Sequence, residues 1–458
     1  MKNFKNLILV TLLFITSLSF GQSVSNMTLL GTKNDFHSGG TPAGFYYSST
    51  WGYTAPNGRE YAILGHYAGT TFYDITDAPT TIRNCGTIAG PGSTYNYREF
   101  KTYDHYAYIV SEGGQGVQIV DLQYLPDSAH YVKSYTFSGY TRSHSISIEG
   151  KYLYCNGGNY NNGGVFILDL TDPVNPVKRG QWGTRYVHDC QVKNDTIFAA
   201  CINDGYLAVL DARNKDSVKL IYQYTYPGAV THNAWVTEDR KYVVTTDEGG
   251  SNHAKIWNIQ NVLAPVQVMD IAPYETAMVH NAYIRGDSLY LAHYRAGVII
   301  YNIQNRNSPV EVGHYDTYPG TGTAYQGCWN VYPYFASRKL IASDMATGLY
   351  VIKLGTASNI TPGVVSNVAD NYSLSQNYPN PFNPETNIKF SIPEQTSVMI
   401  KVYDMQGRIA ADLVNDNYGA GTYEVKLDAN RFNLSSGTYY YKIETKNFSE
   451  TKKLTLLK

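Results

Sequence analysis

Short runs of alternating apolar and polar residues follow one another along most of the chain. Such period-2 alternation is typical of half-buried β-strands. One pattern recurs seven times: a small or turn residue, an alternating hydrophobic run, and a polar residue that is Asp or Asn in six copies. The copies are GTTFYDI (69–75), GVQIVDL (116–122), GVFILDL (164–170), GYLAVLDA (205–212), AKIWNI (254–259), GVIIYNI (297–303) and GLYVIKL (348–354). A repeat of roughly 40–50 residues built from strands alone predicts a β-propeller.

Each copy lies within a longer unit that reads as four antiparallel strands, which is one propeller blade. The seventh copy has no fourth strand after it, whereas MTLLGT (27–32) resembles outer strands such as PVEVGHY (309–315). We therefore predict that the N-terminal strand completes blade seven and closes the ring, because closure removes two exposed sheet edges. The prediction is an all-β fold with a seven-bladed β-propeller over residues 23–355.

The first 22 residues have the features of a secretory signal peptide. Lys2 and Lys5 form a positive start, residues 7–20 are mostly apolar, and small residues follow near Gly21. We predict that residues 1–22 are removed on export, with an uncleaved signal anchor as the alternative. No later segment approaches 18 consecutive apolar residues, so the sequence predicts that the protein is not an integral membrane protein.

The chain changes character after the seventh copy. Residues 356–371 are small, polar and interrupted by Pro362, which predicts a linker. Residues 372–458 hold further short alternating runs separated by turn residues, which predicts a small β-sandwich of the immunoglobulin-like type. These runs are NIKFSI (387–392), VMIKVYDM (398–405), TYEVKL (422–427), TYYYKIET (438–445) and KKLTLL (452–457).

The charge composition argues against two classes of partner, nucleic acids and anionic membranes. Lys and Arg total 36 against 37 Asp and Glu, so the balance predicts no nucleic-acid binding and no attraction to anionic membranes. The 43 tyrosines and 40 glycines agree with strands and turns. The five cysteines include no CxxC spacing. Cys190 and Cys201 could pair across one hairpin, but buried free thiols are the alternative that we favour.

Residues 372–458 resemble the C-terminal sorting domain of the type IX secretion system of Bacteroidetes and related bacteria. The resemblance rests on the segments 377–384, 402–408, 419–423, 434–439 and 452–454. It implies that the type IX secretion machinery is a partner and that the protein is exported across both membranes. It also implies removal of this tail, followed by release or by anchoring at the cell surface. A permanent immunoglobulin-like module is the alternative.

The propeller itself resembles LVIVD-repeat propellers, in particular the bacterial proteins called choice-of-anchor B. The resemblance rests on the segments 51–53, 58–62, 107–112, 231–233, 279–281 and 294–297. In that family one propeller is joined to various cell-surface anchors, which agrees with the tail found here. The resemblance implies an architecture and a location, and it implies no activity.

Candidate chemistry is concentrated where inner strands begin and second strands end, because these points meet at one mouth of a propeller channel. Four inner strands begin with histidine; the corresponding place holds Arg98-Glu99 in blade two and Gly327-Cys328 in blade seven. We predict a ligand site formed by His144, His188, Asp189, His232, Asn233, His280, Asn281, Glu112, Asp247, His293 and Asp344.

Two interpretations of the histidines remain open. Imidazole and carboxylate groups together suit Zn²⁺ or another divalent metal such as Mn²⁺ or Ca²⁺, with His188, His232 and His280 as the candidate ligands. Alternatively, the histidines are buried polar fasteners that hydrogen-bond across blades. In that case the Asp, Asn and Ser residues that follow them face the mouth. No catalytic residue is predicted, because the chain contains no GxSxG, HExxH or EF-hand spacing.

The function predicted from the sequence is a ligand- or partner-binding module at the cell surface or outside the cell. The ligand is not specified and could be a glycan, a peptide or a protein, since Trp51, Trp182, Trp235 and Trp329 could provide an aromatic platform. The alternative is a metal-assisted hydrolase or lyase at the histidine-bearing mouth. Metal content would separate the two.

Overall fold

The computed structural model describes residues 24–41, 44–90, 97–249, 253–272, 278–318, 325–355, 363–366, 369–407, 409–429, 432 and 434–457. The predicted signal peptide therefore lies outside the described residues. The chain divides into two compact units, one mainly of Leu29–Ile352 and the other mainly of Lys353–Lys458. Within the described part of the chain, no helix is long and apolar enough to cross a membrane.

The first unit is built from seven antiparallel sheets, and in each of them four strands are ordered outward from the propeller axis; the sheet of blade six has a short fifth strand. The strands of blades one to three, from inner to outer, are Tyr47–Thr54, Glu60–His66, Gly69–Asp74 and Arg83–Ala89; Arg98–Tyr103, Tyr106–Ser111, Val117–Asp121 and His130–Tyr135; and Ser145–Glu149, Tyr152–Asn156, Val165–Asp169 and Val177–Trp182.

Blades four to seven repeat the same arrangement, and blade seven takes its outer strand from the N-terminal part of the chain. The strands, again from inner to outer, are Asp189–Lys193, Thr196–Cys201, Tyr206–Asp211 and Lys219–Thr225; Thr231–Val236, Tyr242–Asp247, Ala254–Asn258 and Val266–Ile271; Asn281–Arg285, Ser288–His293, Gly297–Asn302 and Val310–Tyr315; and Cys328–Tyr332, Lys339–Asp344, Gly348–Leu354 and Met27–Lys33.

The ring is closed by contacts between neighbouring inner strands. Each inner strand packs against the next, and the inner strand of blade seven packs against that of blade one. The N-terminal segment also reaches blade six, where Val24–Ser25 pairs with Val310–Tyr315. Because no blade is left with an unmatched neighbour, the fold is a seven-bladed β-propeller, as the repeat predicted.

The polar residue of the repeat has a local structural role. Where it is Asp or Asn, its side-chain oxygen accepts a hydrogen bond of 2.8–3.0 Å from the backbone N–H two residues later. This Asx turn ends the third strand of the blade and starts the connection to the outer strand. The residues are Asp74, Asp121, Asp169, Asp211, Asn258 and Asn302.

The hydrophobic core lies between blades. Second and third strands are almost fully buried, whereas outer strands such as Arg83–Ala89 are largely exposed. All five cysteines are buried and free. Cys190 lies opposite Ala199 in its hairpin, two residues from Cys201, so the two cysteines are diagonal to each other and the disulfide alternative is not formed.

The second unit is a sandwich of two four-stranded sheets with its own core. This confirms the predicted fold class of the tail. The sheet orders are Gly363–Ser366, Gly421–Asp428, Glu385–Ile392 and Ser373–Leu374; and Ile409–Tyr418, Thr396–Tyr403, Gly437–Thr445 and Ser449–Leu456.

The predicted linker differs from the structure over part of its length. Residues 363–366 form a strand that pairs with Gly421–Asp428, although the sequence predicted a linker over 356–371. The reason is local, since the two valines of the GVVS segment favour extended backbone beside an available sheet edge. The folded tail therefore begins earlier than its composition indicated.

Candidate functional site

Planar side chains from successive blades stack in a curved row at one end of the propeller axis. The ring centroids of His144, His188, His232 and His280 are separated by 4.0, 4.2 and 4.2 Å. Trp329 continues the row 4.3 Å from His280, and Tyr97 stacks on Trp329 at 5.1 Å. Blades two to seven thus each contribute one planar side chain, and we call these six residues the planar row.

The planar row forms because each histidine lies at or just before the start of regular strand. His144, His188 and His280 immediately precede their inner strands, and His232 lies at a register shift between Thr231 and Asn233. Strand alternation is interrupted at such positions, so these side chains do not enter the core between blades. Instead they stack on one another.

Blade seven shows the same irregularity. The pairing of its first two strands shifts between Cys328 and Asn330. Consequently Trp329, rather than a residue of the predicted pair Gly327-Cys328, occupies the place of the histidines. The identification of Gly327-Cys328 as the corresponding position was therefore wrong by one to two residues, because the bulge inserts an extra residue.

The residues that follow the histidines form a hydrogen-bonded belt. Asp189 accepts bonds from the Ser145 hydroxyl at 2.7 Å and from the Asn233 amide at 2.6 Å. Asn281 donates to Asn330 at 3.2 Å. Further bonds run from Asn330 to Ser49, from Ser49 to Glu99 and from the backbone of Ala282 to Asn233.

This belt corrects the second interpretation of the sequence. Asp189, Asn233 and Asn281 were predicted to face the mouth, but their side chains join neighbouring blades instead. Asn233 and Asn281 are almost completely buried. They are the first residues of their inner strands with regular pairing, and there their side chains reach the neighbouring blade. Most cross-blade fasteners are therefore the belt residues.

The histidines also bond across blades, through Nδ1. His188 Nδ1 lies 3.3 Å from the carbonyl oxygen of His232, and His280 Nδ1 lies 2.6 Å from that of Trp329. Burial, together with the neighbouring histidines, lowers the pKa of His188. Burial and the charge of His144 lower the pKa of His232 to about 3. Burial and His232 likewise lower the pKa of His280 to about 3, so these rings are neutral at pH 7.

Glu112 forms an ion pair with the first histidine of the row. His144 Nδ1 is 2.5 Å from Glu112 Oε1. Burial acts to lower the pKa of His144, but the hydrogen bond and charge of Glu112 outweigh it and raise the pKa. Burial conversely acts to raise the pKa of Glu112, and the bond to His144 lowers it. The structure therefore brings these two predicted residues together as a charged pair.

Glu248 is the second carboxylate at this end of the axis. Its Oε2 is 3.6 Å from His232 Nε2, and its Oε1 is 3.9 Å from His280 Nε2. The Tyr294 hydroxyl donates a hydrogen bond to Oε1. The side chains of Glu248 and Glu112 remain 16% and 28% exposed, whereas His232 and His280 are 3% exposed. Solvent therefore reaches the planar row beside the carboxylates.

Three predicted residues lie away from the planar row. Asp247 in blade five accepts hydrogen bonds from Lys255 Nζ of the same blade at 2.7 Å and from the hydroxyl of Tyr226, which follows the outer strand of blade four, at 2.9 Å. Asp344 accepts bonds from the Thr317 hydroxyl and from the backbone N–H groups that follow it. His293 is fully buried in blade six. These residues were predicted to face the mouth, but Asp247 and Asp344 bond to groups of their own blade and of the segment that follows the outer strand of the preceding blade.

Glu248 and Tyr294 are absent from the ligand set predicted from the sequence, and Trp329 was predicted only as part of an aromatic platform. A signal for the first two was present, since both directly follow the end of a second strand, as Glu112 does. Choosing the last residue of the strand in place of the next one selected Asp247 and His293. The side chains of successive strand residues point to opposite faces, so a shift of one residue selects the wrong face.

The tryptophans do not form one platform. Trp51 and Trp235 lie further along the inner strands, where their rings are 6.2 and 4.6 Å from that of Tyr283. Trp182 belongs to the core between blades three and four. Trp329 alone joins the histidines, so an aromatic surface and the histidines occupy different levels of the axis.

A buried histidine in blade one gives a test of pH dependence. His66 stacks on Phe36 at 3.5 Å, and its Nε2 is 2.9 Å from the Thr71 hydroxyl. Burial and the charge of Arg98 lower its pKa to about 3. The unfolded chain takes up this proton below about pH 6.5, so the stability that neutral His66 contributes is lost as the pH falls from about 6.5 towards 3.

We expect His66→Gln to reduce the loss of folding stability between pH 6.5 and 3. Between pH 6.5 and 5 the native chain should lose about 2 kcal/mol more stability than the variant. Denaturant unfolding in EDTA at a series of pH values measures the difference. His130→Gln, which changes an exposed histidine of an outer strand, is the control. Equal acid slopes for the native chain and His66→Gln would contradict the prediction.

The fold and the axial cluster together define the first unit as a β-propeller with polar side chains along its axis. Residues 139–184 and 278–317 match the family model described as LVIVD repeat. Residues 376–456 match the family model described as secretion system C-terminal sorting domain. The chain thus carries LVIVD repeats and a type IX sorting tail, as predicted. The tail indicates export to the cell surface or the extracellular space. Membership of the choice-of-anchor B proteins stays a prediction.

No curated protein matches this chain in sequence. Among solved structures, "YCF48 bound to D1 peptide" is similar with a TM-score of 0.51 and 9% identity, covering 72% of this chain and 97% of that chain. A protein from Lactobacillus plantarum gives a TM-score of 0.48 at 11% identity, covering 79% and 96%. The β-propeller domain of a Myceliophteria thermophila protein gives 0.48 at 12%, covering 68% and 97%. Such low identity shows the fold alone.

Proposed function

We propose that this protein is an exported binding module whose propeller captures an extracellular ligand at the histidine-bearing end of its axis. In this proposal residues 1–22 are the signal peptide, residues 23–355 form the propeller, and the tail serves delivery. The observation that carries the proposal is the planar row, with two partly exposed carboxylates beside it.

The arrangement suits a ligand that has flat apolar surface and hydrogen-bonding groups. Tyr97, which is partly buried and stacks on the buried Trp329, is the aromatic side chain of the row against which a sugar or peptide group can pack. Glu112 and Glu248 accept hydrogen bonds and attract positive charge. Burial and the charges of both carboxylates raise the pKa of Tyr97, which supports the idea that these groups act on the same space.

A binding screen with matched variants tests this function. The purified full chain should bind members of a panel of polysaccharides and peptides, and Trp329→Ala should abolish that binding. Because Trp329 is buried, this variant should also melt at a lower temperature, and circular dichroism should show that it is folded at the temperature of the assay. Trp51→Ala is the matched control, because it removes an axial tryptophan from a different level. Binding lost in Trp51→Ala and kept in Trp329→Ala would place the site elsewhere and contradict the proposal.

The alternative function is a metal-assisted hydrolase or lyase at the same end. Two neutral histidines beside a carboxylate favour it, since these groups can hold a divalent metal ion. Turnover of a panel substrate that stops with EDTA and returns with Zn²⁺ would favour this alternative over simple binding.

A further inference from the structure

Three acceptor groups converge beside the planar row. The ligand atoms of His188, His232 and Glu248 all lie within 4.8 Å of one another. His232 Nε2 lies 3.6 Å from Glu248 Oε2. This separation is too long for a hydrogen bond. It is close to the distance of about 3.4 Å between two ligands that bind one tetrahedral metal ion through bonds of 2.0–2.1 Å.

The hydrogen bond of His188 fixes which nitrogen is available. A backbone carbonyl only accepts, so the contact of Nδ1 with the carbonyl of His232 places the proton on Nδ1. Nε2 then carries a free lone pair. A histidine held in this way by a carbonyl is typical of metal ligands, because the bond orients the ring and selects the tautomer.

Glu248 is held in place by a neighbour of its own. The Tyr294 hydroxyl donates to Oε1, which leaves Oε2 directed at His232. The Tyr294 ring is almost fully buried, and its backbone has a φ of +23°, a region that bulky residues rarely adopt. Tyr294 is therefore a positioning residue for the carboxylate.

We propose that Nε2 of His188, Nε2 of His232 and the carboxylate of Glu248 bind one divalent ion of the zinc type. The proposal rests on the proposed function, because the ion occupies the same end of the axis and offers an open coordination position to the ligand. Two imidazoles and one carboxylate match the ligand preference of Zn²⁺, whereas Ca²⁺ requires six to eight oxygen ligands. This choice narrows the ions predicted from the sequence.

The proposal also revises the predicted ligand set. His144 is excluded, because its Nδ1 is hydrogen-bonded to Glu112. His280 lies near the other oxygen of Glu248, at 3.9 Å, and is outside the group of three converging residues. It packs against His232 and helps to hold that ring in place. Glu248 thus replaces His280 as the third proposed metal ligand.

Metal titration of the full chain tests the centre. After EDTA treatment and removal of the chelator, the chain should bind one Zn²⁺, and Co²⁺ should give the visible absorption of a four- or five-coordinate site. Glu248→Gln should weaken Zn²⁺ binding by about 100-fold or more, and Tyr294→Phe by about 10-fold. Ca²⁺ should not compete. His253→Gln is the matched control, since it breaks another histidine–carboxylate pair in blade five, and it should bind Zn²⁺ as the native chain does.

Circular dichroism and melting of each metal-free variant establish that it is folded. A folded native chain that binds no stoichiometric Zn²⁺ would overturn the proposal, and so would equal affinity in Glu248→Gln. Failure of the metal centre is distinguishable from failure of the binding function. Polysaccharide or peptide binding that resists both EDTA and Glu248→Gln overturns the centre and keeps the function. One bound Zn²⁺ with no binder in the panel supports the centre and leaves the function contradicted.

Discussion

A chain that lacks residues 372–458 should fold but remain in the periplasm. The tail buries its own hydrophobic core, which includes Ile388, Val425 and Ile443, so its removal should leave the core of the propeller intact. The tail matches a sorting domain, and no other segment of the chain matches a family model of that kind. We therefore expect surface and extracellular material to fall to background, while fractionation recovers the truncated chain from the periplasm.

Two further measurements sharpen this test. The melting temperature of the truncated chain should match the propeller transition of the full chain, which shows that the loss of export does not result from unfolding. Residues 356–458 fused behind a signal peptide and a fluorescent reporter should deliver that reporter to the surface. Wild-type amounts of the truncated chain at the surface would show that the tail is not the sorting signal.

The fold could be predicted from the sequence because each copy of the repeat carries two independent signals. Alternation sets the strands, and the Asp or Asn at the end of each copy makes an Asx turn, as at Asp169 and Asn302. Both signals are local, so they can be read without knowing how blades pack. Lys353 departs from the pattern in the last copy, where the strand leads out of the propeller.

The site was less predictable because it depends on single-residue register. The sequence located His144, His188, His232 and His280 correctly at one end of the axis. It could not show the bulges that turn these rings onto one another. For the same reason the sequence predicts that Asp189 and its neighbours in the belt face the mouth. In the structure these side chains bond across blades instead.

The electrostatic roles of the two carboxylates also depend on interatomic distances, which the alternation of apolar and polar residues does not give. Glu112 and Glu248 occupy equivalent positions after their second strands, yet the first bonds to a charged histidine and the second faces neutral rings. Only the distances separate these two roles. The single-residue difference between Asp247, bound to Lys255 inside its blade, and Glu248 on the axis has the same origin.

The joint between the first and last blades should be the point at which the propeller is most easily opened. The outer strand of blade seven, Met27–Lys33, comes from the other end of the chain and holds blade seven to blade one. Leu30 packs into the core that these two blades share, against a cluster that includes Tyr73 and Leu349. Leu29, its neighbour, is 42% exposed.

Deletion of residues 23–33 should destabilise the whole ring, because it exposes the edge of Gly348–Leu354 and uncovers the shared core. Leu30→Asp should reproduce part of this effect and lower the free energy of unfolding by about 3 kcal/mol, since it places a charge in an apolar core. Leu29→Asp, on the exposed face, should change it by no more than about 0.5 kcal/mol. Denaturant unfolding followed by tryptophan fluorescence measures all three. If Leu30→Asp and Leu29→Asp unfold alike, or if the deletion leaves the transition unchanged, the N-terminal strand does not close the ring.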